Sequence, residues 1–522
     1  MNKRCCSVFF ASKTRQESIY KNSSEFMIGN TYDESELIVA FVGAVGVNLR
    51  KVEALFADRI KSAGYSVESI EISRDIIPKL KKLKSFENQT EYVRIQTMMD
   101  AGNAVRKKTR KNNVLALGVA SNIRDKRETP QKERSKTAYI IHSLKRPEEV
   151  RALREIYPRG FHLVGVHSSI KRREEYLVRT KNMTQEQALE LMARDENEDH
   201  DNGQRIIETF HLSDFFVRLE HDEDKVSNSV RRIVDLMFSD PHCTPAFGEH
   251  AMFLAFAASL RSGDLSRQVG AVIAKDREIL ATGANDCPKF GGGLYWPAFS
   301  AREKAIIDTP RGRDSTRGED SNKAEQSKII ESIVETVSSI TTSFDSAKLR
   351  SKLAKGPIGD LTEYGRVVHA EMEALLACLR KGISTIGATI YCTTFPCHNC
   401  AKHIIAAGIS RVVFIEPYIK SKASEFHDDS IRIDVWETSD SQQHSYVKFE
   451  PFEGVGPRRF FELFSMNLGV GTPIKRKEPG GKAKKWKLEG SPLRIQMLPM
   501  SYLDLEKEAQ SSFAPFILSS KV

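Results

Sequence analysis

Two short segments of this 522-residue chain carry residue types that do chemistry together: His369-Ala370-Glu371, and further on Pro396-Cys397-His398-Asn399-Cys400. One imidazole and two thiols are a zinc donor set, and an ion held by three protein ligands keeps its fourth tetrahedral position open to water. A carboxylate two residues from the histidine supplies a proton carrier. Together they form the minimum set for hydrolysing an exocyclic amino group from a pyrimidine or purine ring. The alternative is a closed zinc knot with four protein ligands, for which His398 and His403 are the nearby fourth candidates. His398 lies between the cysteines, and a purely structural site has no use for Glu371, so the catalytic arrangement is preferred.

These residues need particular elements to hold them. Ala370 to Leu379 is apolar and helix-forming. Two residues apart in mid-helix, His369 and Glu371 would diverge, whereas an ion off the N-terminal end of a helix is within reach of several first-turn side chains. The positive end of the helix dipole also favours anionic partners there. Pro396 suits the first position of a second helix through Ala401-Lys402-His403-Ile404-Ile405, which puts both cysteines in an opening turn where dipole and metal lower thiol pKa. Gly248 to Leu260 reads as a helix, Ser266 to Ile273 and Glu278 to Gly283 as a hairpin, and Ile386 to Thr393 and Arg411 to Glu416 as strands paired in sequence with the two zinc-motif helices. Between them runs a long insert from Cys287 to about Leu361, with a Gly-Gly-Gly-Leu-Tyr-Trp segment and a charged, partly helical stretch. Such an insert is either a lid or specificity loop or an inert surface excursion.

The N-terminal half reads differently. Residues 1–34 are polar and expected to be loose. Leu37 to Val42 is an apolar run ending at Gly43-Ala44-Val45-Gly46, followed by an amphipathic helix from Leu49 to Ala63; strand, glycine turn and helix form a phosphate-binding layout. Tyr65 to Ile72, Val114 to Val119, Ala138 to Ile141 and Phe161 to Val166 read as further strands, with a helix at Pro147 to Glu155. The alternation predicts an α/β domain with a mostly parallel sheet over residues 35–237. Against Gly-x-x-x-x-Gly-Lys-Ser/Thr, Gly43 is retained, but Asn48, Leu49 and Arg50 stand where the second glycine, the lysine and the Mg²⁺-binding hydroxyl belong. Gly43, Gly46, Asn48 and Arg50 are therefore candidates for binding a nucleotide or regulator without phosphate transfer; the alternative is a plain sheet-to-helix turn. A second domain is expected at 238–470, with the insert at about 287–361, and an extension at 471–522.

Composition bounds the rest. The formal charge of +10 points to anionic partners, among them nucleotides, nucleic acid and membrane surfaces, although much of it is concentrated in Lys79 to Lys84, Arg106 to Lys111 and Lys475 to Lys487. Eight cysteines in a chain this long form no disulfide framework. A reducing cytosol fits that usage, the short apolar run near the start lacks a clear cleavage site, and no stretch approaches the roughly 20 apolar residues that span a bilayer. The expectation is a cytoplasmic protein without membrane association.

The C-terminal half resembles the cytidine and deoxycytidylate deaminase superfamily over about residues 245–435. Beyond the zinc motif, Arg261-Ser262-Gly263-Asp264-Leu265-Ser266-Arg267-Gln268-Val269-Gly270-Ala271-Val272-Ile273, Thr282-Gly283-Ala284-Asn285 and Ala401 to Ile409 are similar to the opening segment, substrate turn and post-cysteine helix of deoxycytidylate deaminases. The resemblance implies a three-layer α/β/α fold, Zn²⁺ on His369, Cys397 and Cys400, and Glu371 as general acid/base. It further implies Asn285 as a sugar or base contact, the alternative being an ordinary turn asparagine; Arg267, Tyr418 and Lys420 are candidate phosphate contacts, each equally readable as a surface or packing residue. The whole arrangement resembles bacterial anti-phage cytidine deaminases, in which a P-loop-kinase-like domain precedes the deaminase; Glu416-Pro417-Tyr418-Ile419-Lys420-Ser421, His427 and Asp429-Ser430-Ile431 are similar to their extension. That implies free deoxycytidine nucleotides as substrates, dCMP or dCTP, depleted during infection. It also implies an inhibitory regulator (a small RNA or a protein), nucleotide effectors and a homo-oligomer. Two rivals stay open: a deaminase of single-stranded DNA or tRNA, which uses the same zinc chemistry, and a non-catalytic nucleotide sensor.

Overall fold

The structure is a computed structural model and describes residues 35–82, 89–127, 136–196, 203–219, 222–341, 343–416, 421–433, 446–467, 473–497 and 502–519. The N-terminal segment 1–34, and Tyr418 and Lys420, lie outside these residues. Strand β1 (Leu37–Val42) is buried along its whole length, as expected of a strand covered on both faces by helices. It lies among β2 (Ser66–Glu71), β3 (Thr137–His142), β4 (Phe161–His167) and β5 (Phe215–Arg218) in the order β5-β4-β1-β3-β2, all parallel. Alternate β1 residues enter two cores, Ile38, Ala40 and Val42 on one face and Leu37, Val39 and Phe41 on the other. Helix α1 (Leu49–Lys61) follows the glycine turn and is capped by Asn48, whose side chain accepts from the Lys51 N–H.

One expected strand is a helix. Val114 to Val119 opens α2 (Val114–Arg127). It carries no clear helical period because it is apolar almost all round, buried from Val114 to Ile123 between the sheet and the end of the chain. β5, a short Phe-Phe-Val-Arg run, escaped the sequence reading.

The second sheet follows helix α3 (Phe247–Ser259). Its strands include the hairpin β6 (Gly270–Lys275) and β7 (Glu278–Ala284). The insert comes next: a small hairpin, β8 (Ala298–Ser300) with β9 (Ala305–Ile307), and the 20-residue helix α4 (Ser321–Ile340). Helix α5 (Ala370–Arg380), β10 (Thr389–Thr394), α6 (His398–Ala406), β11 (Arg411–Glu416), β12 (Ile431–Ile433) and β13 (Val447–Pro451) complete a sheet ordered β12-β13-β11-β10-β6-β7. The β10–β11 and β11–β13 pairs are parallel, while β6 runs antiparallel to β10. Along β6, Ala271 and Ile273 pack with α5 and α6 residues, and Val272 and Ala274 pack with α3. This is the three-layer α/β/α arrangement expected for the second half, beside a mostly parallel α/β first half.

The chain then returns to the first sheet. β14 (Gly454–Val455) pairs antiparallel with β5, and α7 (Leu503–Ser519) buries Phe513 in the first core. Val455, Leu463, Leu488, Leu493 and Ile495 join one core of the first sheet and Phe513 the other, while Phe460 stacks on Phe253 of α3. The buried Glu249 of α3 fastens the junction: its carboxylate accepts from Arg232 at 2.6 Å and from the Val455 N–H at 2.8 Å.

Candidate active site

His369 is the N-cap of α5 and Cys397 the N-cap of α6, both with extended backbones (φ −68°, ψ 154° and φ −69°, ψ 165°). Neither side chain caps its own helix, so both are available to a common centre in front of the two helix ends. Cys400 follows in the first turn of α6. Pro396 precedes the cap instead of occupying the first helical position, because Cys397 takes the extended conformation that a cap requires. The segment before His369 is pinned to the end of β7 by a reciprocal pair of bonds, Asp286 N–H to Val368 O at 3.2 Å and Val368 N–H to Asp286 O at 3.0 Å.

The Nδ1 atom of His369 lies 3.4 Å from Cys397 Sγ and 3.3 Å from Cys400 Sγ. One donor atom from each of the three residues lies within 4.8 Å of the others. Ordinary Zn–S and Zn–N bonds at the tetrahedral angle separate sulfur and nitrogen by about 3.5 Å, so the donors already stand at the spacing a zinc ion requires. Among the described residues no fourth His, Cys, Asp or Glu belongs to the group; His403 is exposed on α6. The electrostatics agree with a cation site. Contact with Cys400, then with His369, brings the Cys397 thiol down to about 4. The hydrogen bond to Cys397 lifts His369 to about 9. The Cys400 thiol is raised, first by its bond to Cys397.

Glu371 sits in the first turn of α5, 4 % exposed. Burial raises its pKa, and the neighbouring His369 opposes the rise. Cys392 on β10, fully buried, was missed from the sequence; burial and then the Glu371 charge keep its thiol protonated. Only the alternation along β10, which turns Cys392 and Thr394 to one face, would have exposed it.

His369, Glu371 and Cys397 line a cavity of about 240 Å³. Asn285 lines it, but its amide is engaged on both sides: Oδ1 accepts from Val269 N–H at 2.7 Å and Nδ2 donates to Arg267 O at 2.9 Å. Asn285 thus shapes the wall by holding the 267–269 backbone. Arg267, half-exposed, pairs with Glu416 at 2.7 Å. Asp264, Ser266, Asp314, Asp320, Asn322, Thr362, Phe395 and His398 complete much of the lining. Several of these belong to the insert, and nothing in their local sequence announces it.

Two glycines set the depth. A Cβ on Gly270 would stand 1.8 Å from Ala255 O, and one on Gly283 2.1 Å from Ala370 O. β6 and β7 therefore touch the backbones of α3 and α5 directly, which explains glycine in the Gln-Val-Gly-Ala-Val and Thr-Gly-Ala-Asn segments.

Residues 247–416 match the family model described as "Cytidine and deoxycytidylate deaminase zinc-binding region". The chain is 32% identical over 181 residues to the "Deoxycytidylate deaminase" of Enterobacteria phage T2, a match covering 34% of this chain and 84% of that protein. The phage T4 protein of the same name is likewise 32% identical over 181 residues, covering 34% of this chain and 81% of that one. The chain belongs to the cytidine and deoxycytidylate deaminase family. Among solved structures, the dCMP deaminase of cyanophage S-TIM5, crystallised with dCMP and dUMP, aligns with 40% of this deaminase and 100% of its own chain, at 19% identity and a TM-score of 0.22.

The deaminase's N-terminal sheet carries a second cavity, of about 260 Å³, lined by Gly43, Gly46, Asn48 and Arg50 together with Arg94, Arg106, Lys145 and Lys181. Gly46 adopts φ 90°, as a tight turn before a helix requires. The turn's anion seat is taken: Val45 N–H donates to the fully buried Asp195 carboxylate at 2.7 Å, and Lys145 Nζ holds the same carboxylate at 3.1 Å. Arg50 pairs with Glu71 at 2.9 Å. The four candidates are thus brought together, with the positive charges nearest the turn already matched by carboxylates.

Proposed function

We propose that this protein hydrolyses the 4-amino group of free deoxycytidine nucleotides, dCMP or dCTP, giving the deoxyuridine nucleotide and ammonia, with zinc held by His369, Cys397 and Cys400. The carrying observation is the buried Glu371 beside three donors already at metal-ligand spacing, with Glu371, His369 and Cys397 lining one cavity. When bound, zinc supplies the Lewis acidity that activates water at neutral pH. Glu371 takes a proton from the attacking water and gives it to the ring N3 as C4 becomes tetrahedral; it then takes the proton of the new C4 hydroxyl and delivers it to the departing amino nitrogen, so the C4–N bond breaks as C4=O forms. Its buried position keeps bulk water from competing for those protons, and its raised pKa suits a group that both accepts and donates.

The names of the T2 and T4 relatives, and the span of the match, favour a nucleotide substrate over a polynucleotide one. Phe395 is the single aromatic side chain lining the cavity among the described residues, which does not make a stacking track for a strand. A role in depleting deoxycytidine nucleotides during phage infection, under an inhibitory RNA or protein and in a homo-oligomer, rests on the sequence resemblance. The N-terminal domain is regulatory in this reading: Asn48, Leu49 and Arg50 lack phosphoryl-transfer groups, and Asp195 fills the turn.

Incubating zinc-loaded protein with dCMP, dCTP, CMP, CTP and a cytosine-bearing oligonucleotide, with ammonia as readout, tests the reading. Release from the free deoxynucleotides is expected. Release from the oligonucleotide alone establishes the polynucleotide rival, and no release from any establishes the sensor.

A further inference from the structure

The insert is fastened to the catalytic layer at several points. Arg313, 7% exposed as a side chain, pairs with Asp286 at 3.1 Å, next to the bridge that pins Val368 and hence His369. Arg366 pairs with Asp314 at 2.7 Å. At the insert's far end Asn322 Nδ2 and Gln326 Nε2 both donate to Leu361 O, at 2.7 and 2.6 Å. These bonds aim the N-terminus of α4 at the cavity, and Asp320 and Asn322 line it.

The cavity lining differs in burial from residue to residue. Asn285, Asp314, Ala370, Glu371 and Thr394 are buried, His369, Cys397, Asp264, Asp320, Asn322 and Thr362 are half-buried, and Ser266 and Gly365 are exposed. A cytosine whose C4 meets the zinc ligands and Glu371 occupies the buried part of this cavity, and its sugar extends towards the half-buried and exposed lining, which includes Asp320 and Ser266. Asp320 Oδ1 caps α4 by accepting from Lys323 N–H at 3.0 Å, while Oδ2 takes only a long bond, 3.4 Å, from Ser266 Oγ. Asp264 is more fully used, its Oδ1 accepting from both Ser266 and Arg267 N–H at 2.8 Å. A carboxylate oxygen on the cavity wall with spare acceptor capacity suits a hydroxyl donor, and a phosphate is repelled there by two carboxylates.

We infer that the insert forms the sugar-reading wall of the active site, with Asp320 Oδ2 accepting a hydrogen bond from the 3′-hydroxyl of the nucleotide. This rests on the proposed deamination. Ser266 Oγ holds the carboxylate in place, and the phosphates leave the cavity on the side away from Asp264 and Asp320. Asp320 is a specificity residue that touches substrate and takes no part in the proton transfers at C4.

The test compares kcat/KM for 2′-deoxycytidine and 2′,3′-dideoxycytidine 5′-phosphates, as mono- and triphosphates, in wild type, Asp320→Asn and Asp320→Ser. Asn and Ser both remain good helix caps, so α4 stays capped, and zinc content and thermal midpoint check the fold. The wild type should favour the 3′-hydroxyl substrate by about 10- to 100-fold, the range for a hydrogen bond to a charged group. Both variants should bring that ratio to within about threefold of unity, since a weak neutral bond is all that remains. Deoxynucleotide turnover with no 3′-hydroxyl preference in the wild type, or with the preference unchanged in both variants, overturns the inference alone. No turnover of any cytidine nucleotide by the wild type overturns it together with the proposed reaction.

Discussion

Gly283→Ala should disable the enzyme without touching any residue that does chemistry. The added methyl would lie 2.1 Å from Ala370 O and 2.5 Å from Ala374 N, backbone atoms in the opening turns of α5. Ordinary contact begins near 3.4 Å, so the start of α5 must retreat by about 1 Å; neither partner is a flexible side-chain tip. Ala370 lies between His369 and Glu371, so both move with it, while Cys397 and Cys400 on α6 stay. A displacement of that size at a reacting group costs about 10²-fold in rate, and forcing a methyl into a packed layer costs about 1–3 kcal/mol of stability. The assay is steady-state ammonia release, with bound zinc and thermal midpoint measured on the same samples. Gly480→Ala is the control, because a Cβ there meets nothing within 4 Å. Gly283→Ala with wild-type kcat/KM and an unchanged midpoint would refute the claim that β7 positions the zinc helix by backbone contact.

Four further outcomes follow from individual residues. Glu371→Ala should keep stoichiometric zinc and lose at least ~10² in kcat; near-wild-type turnover would remove it from the proton path. Cys400→Ala, by contrast, should lose the metal and lower the midpoint, since the ion's binding energy is also folding energy, and full zinc by metal analysis would place the site elsewhere. His162 is fully buried on β4, and burial, with Arg459 and Arg154 adding to it against Asp214, brings its pKa from 6.5 to about 3. Because the folded value is the lower one, the unfolded chain binds more protons between these limits. Stability should therefore fall as pH drops from 6.5 towards 3, by up to about 1.4 kcal/mol per unit, and His162→Gln should flatten that share of the slope; equal slopes by urea titration would contradict it. Phe513→Ala, removing a ring that is 1% exposed against α2, should cost about 3–5 kcal/mol, and a loss under 1 kcal/mol would detach α7 from the N-terminal core.

The sequence by itself named the residues of the candidate metal centre. His369, Glu371, Cys397 and Cys400 were legible because metal ligation and proton transfer demand particular side-chain types, and because helix starts bring closely spaced residues to one point. Strands β1, β3, β4, β7 and β11 were legible as short apolar runs. α2 was not, since a helix buried on nearly every side has no polar face to mark its period. Nor was the return of β14 and α7 to the first sheet, because residues such as Arg127 and Glu506 meet across a separation that no local pattern reports. Asn285 shows the division most clearly. Its place beside the site could be named in advance, but only the tertiary structure shows its amide bonded to the Val269 N–H and the Arg267 carbonyl, and only the tertiary structure sets Asp320 against Ser266. A side chain's identity limits what it can do; which of its donors and acceptors remain for a substrate depends on partners that the folded chain alone brings within hydrogen-bonding distance.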